Sequence, residues 1–362
     1  MAYTTFGVND DLAVKRWSQK LEAEALKATE IAPLIGSDSN SIIQMRTETK
    51  KGKGDKVTFG LRMQLTGDGI TEGEVAEGNG ESLSIYSTSL VINELGHVVG
   101  AASENTIDQQ RVPFELREEC ELGLEDWYAK RLSVSFFHQV CGNTATSGTG
   151  YPTSTKYTGL NAVVAPTSTR IIRAGSQAND ESLTTADTFT LDLIDKAKEM
   201  AETATPKIRP IKIGGRDKYV FYMHPWQVTD MRISTSTGHW LDIQKAAMQG
   251  GNVTGNPIFT GALGEYNDVV LRSSIDVTYG VNSSTAAADT TVRRGVLLGA
   301  QAATCAFGMN NSATKFRWNE ELLDHKRKLE VSAWSIWGMN KTVFNSTDFG
   351  TVVVSTYAVA HT

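Results

Sequence analysis

The sequence is poor in the residues that build covalent or metal frameworks. It has three cysteines in 362 residues, Cys120, Cys141 and Cys305, and no pair of them has C-x-x-C spacing. An odd, widely spaced set supports neither a disulfide framework nor a zinc knuckle. No apolar run is long enough for a signal-peptide core or a membrane span. We therefore expect a soluble protein of a reducing cytoplasm, without a membrane partner.

Recognisable catalytic patterns are also missing. The six histidines show no i, i+4 or short-loop spacing of the kind that binds a metal ion. A glycine-rich segment ends at Gly255, but Asn256 stands where a phosphate-binding loop needs lysine, and Pro257 blocks the helix that should follow. No G-x-S-x-G elbow is present. We predict no catalytic, cofactor-binding or metal-binding residues, and a protein that is not an enzyme.

The charge balance argues against a protein whose main task is to grip nucleic acid. The net charge is −6, from 35 basic and 41 acidic side chains. A dedicated phosphate-binding surface normally carries an excess of lysine and arginine. Any contact with nucleic acid is therefore expected to be weak and not sequence-specific. The 40 % hydrophobic content and the length are sufficient for two modest cores.

A long hairpin with an acidic tip is predicted near the N-terminus. Apolar residues alternate from Val57 to Leu65, and a second run extends from Leu83 to Ile92. The intervening 67–81 segment has five glycines and no basic residue. Its acidic residues are Asp68, Glu72, Glu74, Glu77 and Glu81. One interpretation is a mobile surface loop, and the other, which we adopt, is an arm that reaches a neighbouring copy.

A small basic cluster precedes the hairpin. It consists of Lys50, Lys51, Lys53 and Lys56, with no aromatic residue between them. Base stacking on single-stranded nucleic acid is therefore not indicated. The cluster is a candidate partner for the acidic tip of an adjacent copy.

The strongest helical signal covers residues 114–140. No proline follows Pro113 until Pro152, and apolar residues form one stripe that drifts onto an adjacent face. Acidic residues crowd its first half, while Lys130 and Arg131 lie in its second, the order that the helix dipole favours. The helix should be about 40 Å long and should act as a spine for other elements.

Shorter elements surround this helix. An amphipathic helix is predicted over 11–27 and another over 191–202, with strands at 219–223, 269–271, 329–337 and 350–355. A further helix should begin near Pro225. Segments 144–158 and 282–291 are rich in small polar residues and are interpreted as loops or insertions. The predicted fold class is α+β.

Several short motifs occur in order over most of the chain. They are 77–83 (EGNGESL), 91–97 (VINELGH), 219–226 (YVFYMHPW) with 230–232 (DMR), 256–264 (NPIFTGALG) and 297–303 (LLGAQAA). With these motifs, the elements in this order resemble the major capsid proteins of tailed phages with the Hong-Kong-97-type fold, and most closely the coliphage N-four-like coat proteins.

The resemblance implies a division of the chain. It consists of an N-terminal arm (1–45), an E-loop hairpin (46–100), a P-domain (101–204) that includes the spine helix, an A-domain (205–300) and a return to the P-domain (301–362). The residues that would mark the family are His224, Pro225, Gly261, Gly264 and Gly299. Pro225 would begin an A-domain helix, and His224 would be a marker of the fold without a catalytic role.

The function implied by the resemblance is that of a major capsid protein. Copies would assemble as hexamers and pentamers, in the host cytoplasm, into an icosahedral shell around double-stranded DNA. Scaffolding and portal proteins, and a decoration protein, would be its partners in the virion. An encapsulin-type nanocompartment shell has the same fold and is the alternative, distinguished by an enzyme cargo. A carbohydrate-active enzyme, indicated only by seven tryptophans and many carboxylates, would be a small oligomer.

Overall fold

The computed structural model describes residues 30–46, 54–62, 65, 67–83, 85–103, 106–147, 159–213, 215–233, 264–308 and 315–361. The predicted helix over 11–27 lies outside these residues, as does most of the predicted insertion 144–158. None of the described helices is long and apolar enough to cross a membrane.

The described residues form four α-helices. They are α1 (Ile107–Arg111), α2 (Leu116–Val140), α3 (Leu191–Thr203) and α4 (Pro225–Ile233). The predictions of the spine helix α2, of α3 and of a helix beginning at Pro225 are confirmed. Helix α2 begins two residues later than predicted, because Glu115 is its extended N-cap and Pro113 lies before the helix. The short helix α1, capped by the Thr106 hydroxyl on the Gln109 amide, was not predicted.

Strands make up most of the remaining regular structure. The first nine in chain order are β1 (Ile35–Gly36), β2 (Ile43–Arg46), β3 (Lys56–Arg62), β4 (Ile85–Val91), β5 (Asn93–Ala102), β6 (Ile171–Arg173), β7 (Ile211–Ile213), β8 (Arg216–Met223) and β9 (Glu265–Tyr266). The next nine are β10 (Val269–Ser273), β11 (Tyr279–Val281), β12 (Ala288–Leu298), β13 (Ala303–Phe307), β14 (Phe316–Leu323), β15 (Lys328–Lys341), β16 (Val343–Phe344), β17 (Thr347–Asp348) and β18 (Thr351–Tyr357).

Two large sheets carry the fold. The first has the order β1-β2-β13-β15-β14, with β5 also paired to β15. The second has the order β6-β18-β12-β8-β10-β9, with β11 on β12 and β7 on β8. Parallel and antiparallel pairs occur in both sheets, and helices cover them, which is the α+β architecture predicted from the sequence.

The spine helix α2 spans two hydrophobic cores. Its first half, with Cys120 and Leu124, packs on β14 and β15 in one core. Its second half, with Leu132 and Phe136, packs in another core that contains residues of both sheets. A third core lies under α3 on the second sheet. The apolar stripe, which drifts around the helix, therefore packs in two successive cores, as predicted for a spine.

The predicted insertion at 282–291 is partly wrong. Only 282–287 is a turn, in which the Asn282 side-chain oxygen accepts the amides of Ser284 and Thr285, each at 2.9 Å. Strand β12 already begins at Ala288, and its first residues pair with β11. The beginning of this strand was not predicted, because the segment is rich in serine and threonine and positions 290 and 291 of the strand are exposed.

Candidate inter-subunit contact surface

The predicted hairpin is confirmed as the two-stranded pair β3–β4. Its register extends from Lys56 opposite Val91 to Arg62 opposite Ile85. Between the strands, residues 67–83 form no strand and are all exposed. Most of the next strand, β5, falls inside the range 46–100 that was assigned to the hairpin, yet all ten of its residues pair with β15 in the first sheet. The hairpin itself is therefore 56–91.

All five predicted acidic residues lie in this loop, hereafter the hairpin tip (67–83). Two of them shape the loop: a carboxylate oxygen of Glu81 accepts the Gly67 amide at 2.9 Å, and one of Glu74 accepts the Thr71 amide at 3.1 Å. Asp68, Glu72 and Glu77 are exposed. The loop thus concentrates negative charge at the end of the hairpin farthest from the sheets.

The exposed apolar side chains of the hairpin were not predicted from the sequence. Every one of these is at least 42 % exposed, and Val75 reaches 71 %. They are Leu65, Ile70, Val75, Leu83 and Ile85. The alternation from Val57 predicts Leu65 to share the apolar face of the strand, yet this side chain is 56 % exposed. The signal was present as isolated aliphatic residues among glycines and acids, where no core is available to them.

The structure places only one of the four basic candidates. Lys50, Lys51 and Lys53 lie outside the described residues. Lys56 opens β3 opposite Val91, at the base of the hairpin and away from its tip. The role of the four lysines as partners of the tip of an adjacent copy stays a prediction.

Two of the proposed family markers have clear structural reasons. A Cβ on Gly299 would lie 2.4 Å from the Ile208 side chain and 2.6 Å from the Arg209 carbonyl oxygen, so no side chain fits there. Gly264 has a φ of +92°, a conformation that favours glycine. Gly261 lies outside the described residues.

His224 and Pro225 form the entrance to α4. The His224 Nδ1 accepts the Trp226 amide at 3.2 Å, and its own amide donates to the Gln227 side chain at 2.9 Å. Burial, with a smaller contribution from Arg293, lowers the pKa of His224 to about 3. The ring is therefore a neutral cap for the helix.

Buried charges connect distant parts of the chain behind the hairpin. Asp180 is fully enclosed and contacts both Arg173 and Arg294 at 2.8 Å. Lys341 and Asp348 form a second buried pair at 2.7 Å. Burial lowers the pKa of Lys341, and Asp348 partly offsets this effect. These pairs fix the body that carries the hairpin.

Within the described ranges, no group of three or more His, Cys, Asp or Glu residues is arranged to bind a metal ion.

A family model described as phage capsid protein matches residues 5–360. The chain belongs to the phage capsid protein family. This capsid protein is 25 % identical over 397 aligned residues to the major capsid protein of Pseudomonas phage KPP25, covering 99 % of this chain and 98 % of that protein.

Solved structures agree with this assignment. The capsid of Ralstonia phage GP4 is 29 % identical, with a TM-score of 0.76 and full coverage of both chains. The cyanophage Pam1 capsid is 20 % identical, with a TM-score of 0.71 and coverage of 93 % of this chain and 94 % of that one, and it shows the fold.

The predictions of an α+β capsid fold and of a major capsid protein in an icosahedral phage capsid are thereby confirmed. The protein is a component of the virion capsid. The encapsulin alternative is not favoured, because the matches are phage capsids. The narrower likeness to coliphage N-four-like coat proteins stays a prediction.

Proposed function

We propose that the hairpin tip is the element through which this major capsid protein joins copies of itself into hexamers and pentamers of a shell around double-stranded DNA. The observation that carries the proposal is the set of five exposed aliphatic side chains in and beside the hairpin tip. Exposed aliphatic side chains do not stabilise an isolated chain. A neighbouring copy that covers them removes apolar surface from water, which is favourable.

The free energies of apolar burial and of ion pairing indicate different roles for the aliphatic and the acidic residues of the tip. Covering a half-exposed aliphatic side chain contributes about 1 kcal/mol, so the five together contribute on the order of 5 kcal/mol per hairpin. An exposed ion pair contributes only about 0 to 1 kcal/mol. The aliphatic residues therefore hold the hairpin in place, and the acids steer and register it on basic groups, with Lys50, Lys51, Lys53 and Lys56 as candidates.

The division of the chain fits this function. We take 1–45 as an arm, 46–100 as the segment that contains the hairpin, 101–204 with 301–362 as the domain around the spine helix, and 205–300 as a second domain. Assembly takes place in the host cytoplasm with scaffolding and portal proteins, and a decoration protein completes the shell. Contact with the packaged DNA is weak and not sequence-specific, in keeping with the net charge of −6.

Electron microscopy of the expressed chain tests the proposal. We expect closed shells, or sheets and tubes of capsomers, with and without the other phage proteins. A chain that stays monomeric under all of these conditions contradicts it. Nucleic acid in the particles agrees with a genome shell, whereas a copurifying enzyme would return the nanocompartment to consideration.

A further inference from the structure

One asparagine of the hairpin tip is followed by glycine. Asn79-Gly80 is the only Asn-Gly pair in the sequence, and both residues are exposed. In such a pair the backbone nitrogen of the second residue can attack the side-chain carboxamide of the first, and glycine has no side chain that hinders the approach. Asparagine is one of the thermolabile residues of proteins. The pair is therefore a candidate site of spontaneous chemical modification.

The turn around Asn79 holds the asparagine but leaves the following amide free. The Asn79 amide donates to the Ala76 carbonyl oxygen at 3.2 Å, and Asn79 Nδ2 donates to the Val75 carbonyl oxygen at 2.9 Å. Among the residues that the structure describes, none accepts a hydrogen bond from the Gly80 amide. A Cβ on Gly80 would meet no atom within 4 Å. The attacking nitrogen is thus unrestrained, and space for a five-membered ring is available.

Asn282, in the turn 282–287, provides a contrast within the same chain. The amide of the following residue, Ser283, donates to a carboxylate oxygen of Glu181 at 3.2 Å. The Asn282 side-chain oxygen accepts two further amides, as described above. A ring between Asn282 and Ser283 would require these hydrogen bonds to break, whereas the exposed bond of Asn79 Nδ2 is easily exchanged for one to water.

We infer that Asn79 of the unassembled chain deamidates spontaneously through a succinimide. The Gly80 nitrogen loses its proton and forms a bond to Asn79 Cγ, while the bond between Cγ and Nδ2 breaks. The departing nitrogen takes up the proton and leaves as ammonia. Water then opens the ring: addition at Cγ gives aspartate, and addition at the main-chain carbonyl carbon gives isoaspartate. Water is the only co-reactant.

Deamidation changes the hairpin tip in two ways. It adds a carboxylate to a segment that already has five acidic residues and no basic one. Isoaspartate also lengthens the backbone by one carbon atom and so alters the turn that ends at Asn79. Both changes affect the residues to which the proposed function assigns the contact with a neighbouring copy. Chains that stay outside the shell therefore accumulate an altered tip.

Assembly should protect the pair, and this part of the inference rests on the proposed function. A neighbouring copy that covers the tip excludes water from it and restrains the turn, so the Gly80 nitrogen reaches Asn79 Cγ less often. Deamidation of Asn79 then distinguishes chains that assembled promptly from chains that did not.

Peptide mass spectrometry of aged protein tests the inference. Soluble subunits are kept at neutral pH and physiological temperature, sampled over time and digested. The mass change from an amide to an acid is followed at Asn79 and Asn282, and isoaspartate is identified by fragmentation. We expect deamidation to be several-fold faster at Asn79 than at Asn282, with isoaspartate among the products. Equal rates at the two positions, or a product without isoaspartate, overturn the inference.

Gly80→Ala is the matched variant. Gly80 does not have a positive φ, and its surroundings are open, so alanine fits without a change in the fold. Its methyl group hinders the attack of the backbone nitrogen. We expect deamidation at Asn79 to become several-fold slower and that at Asn282 to stay the same. An unchanged rate at Asn79 shows that the Gly80 nitrogen is not the nucleophile and overturns the inference.

Assembled particles, aged in parallel, separate this inference from the proposed function. We expect Asn79 to deamidate several-fold more slowly in particles than in soluble subunits. Equal rates in the two samples overturn the protection by assembly and count against a covered tip, and therefore against the proposed function. The modification site itself is decided by the soluble subunits and by Gly80→Ala alone.

Discussion

The Arg294 guanidinium contacts the Asp180 carboxylate through Nε and a terminal nitrogen, each 2.8 Å from the same oxygen. The same arginine donates to the Gly142 carbonyl oxygen at 2.8 Å, just beyond the spine helix. The other oxygen of Asp180 accepts from Arg173. One buried carboxylate therefore ties β6 and β12 together, and Arg294 extends the connection to the C-terminal end of α2.

Asp180→Asn is expected to destabilise the unassembled subunit by about 3 to 5 kcal/mol, because Arg294 is left buried without a counter-charge. Denaturant unfolding of the subunit measures this change. Asp217→Asn is the matched control, since Asp217 is exposed, and it should change the free energy of unfolding by less than about 0.5 kcal/mol. Equal effects at the two positions would contradict the assigned role of Asp180.

The same carboxylate makes stability depend on acid. Burial opposes its ionisation, but Arg294 and Arg173 outweigh burial and hold the pKa of Asp180 below its ordinary value. A depressed folded-state pKa contributes stability that is fully present above the unfolded value of about 3.9 and is lost as the pH falls through the folded value. The free energy of unfolding should be measured from pH 6 downward. Below about pH 4 it should fall less for Asp180→Asn than for the parent.

Two glycines should respond to alanine in opposite directions. Gly299→Ala places a methyl group against Ile208 and the Arg209 carbonyl oxygen, so we expect a loss of about 1 to 3 kcal/mol. Gly123→Ala, on α2 with no atom within 4 Å of the added carbon, should gain about 0.5 to 1 kcal/mol. The free energies of unfolding of the two variants decide this, and a stable Gly299→Ala subunit would refute the close packing.

Local patterns predicted much of this architecture. The periodicity of α2 and α3, the proline at the beginning of α4 and the alternation in β3 act over a few residues and are visible in the chain. Pairings between distant segments are not, because periodicity carries no information on partners. The assignment of β5 to the sheet of β15, and the contact of Asp180 with Arg294 across 114 positions, needed the structure.

Only the charge of the hairpin tip was predicted from the sequence. A run of acidic residues without lysine is visible in the composition. The exposure of Ile70 and Val75 was not predicted. Aliphatic residues are by default assigned to a core, and the sequence does not show that these two lie far from one.

Reversing the charge of the tip should impair assembly without unfolding the subunit. Glu72→Lys, Glu74→Lys and Glu77→Lys together remove the steering of the tip toward basic groups, so particles should form slowly and in low yield. A triple variant with the same change in net charge, Glu199→Lys, Glu321→Lys and Glu330→Lys, is the control at exposed positions outside the hairpin. Light scattering measures assembly, and normal kinetics of the tip variant would rule out the steering role.

The aliphatic residues of the tip should matter more for the stability of the shell than its acids. Ile70→Ser with Val75→Ser removes about 2 kcal/mol of apolar burial per hairpin, whereas each ion pair contributes about 0 to 1 kcal/mol. Because both side chains are exposed in the isolated chain, its free energy of unfolding should stay the same. Assembled particles of this variant should dissociate at lower denaturant concentration than the parent, and salt should shift the midpoint little. A midpoint governed mainly by salt would show instead that charge, and not apolar burial, holds the hairpin on its neighbour.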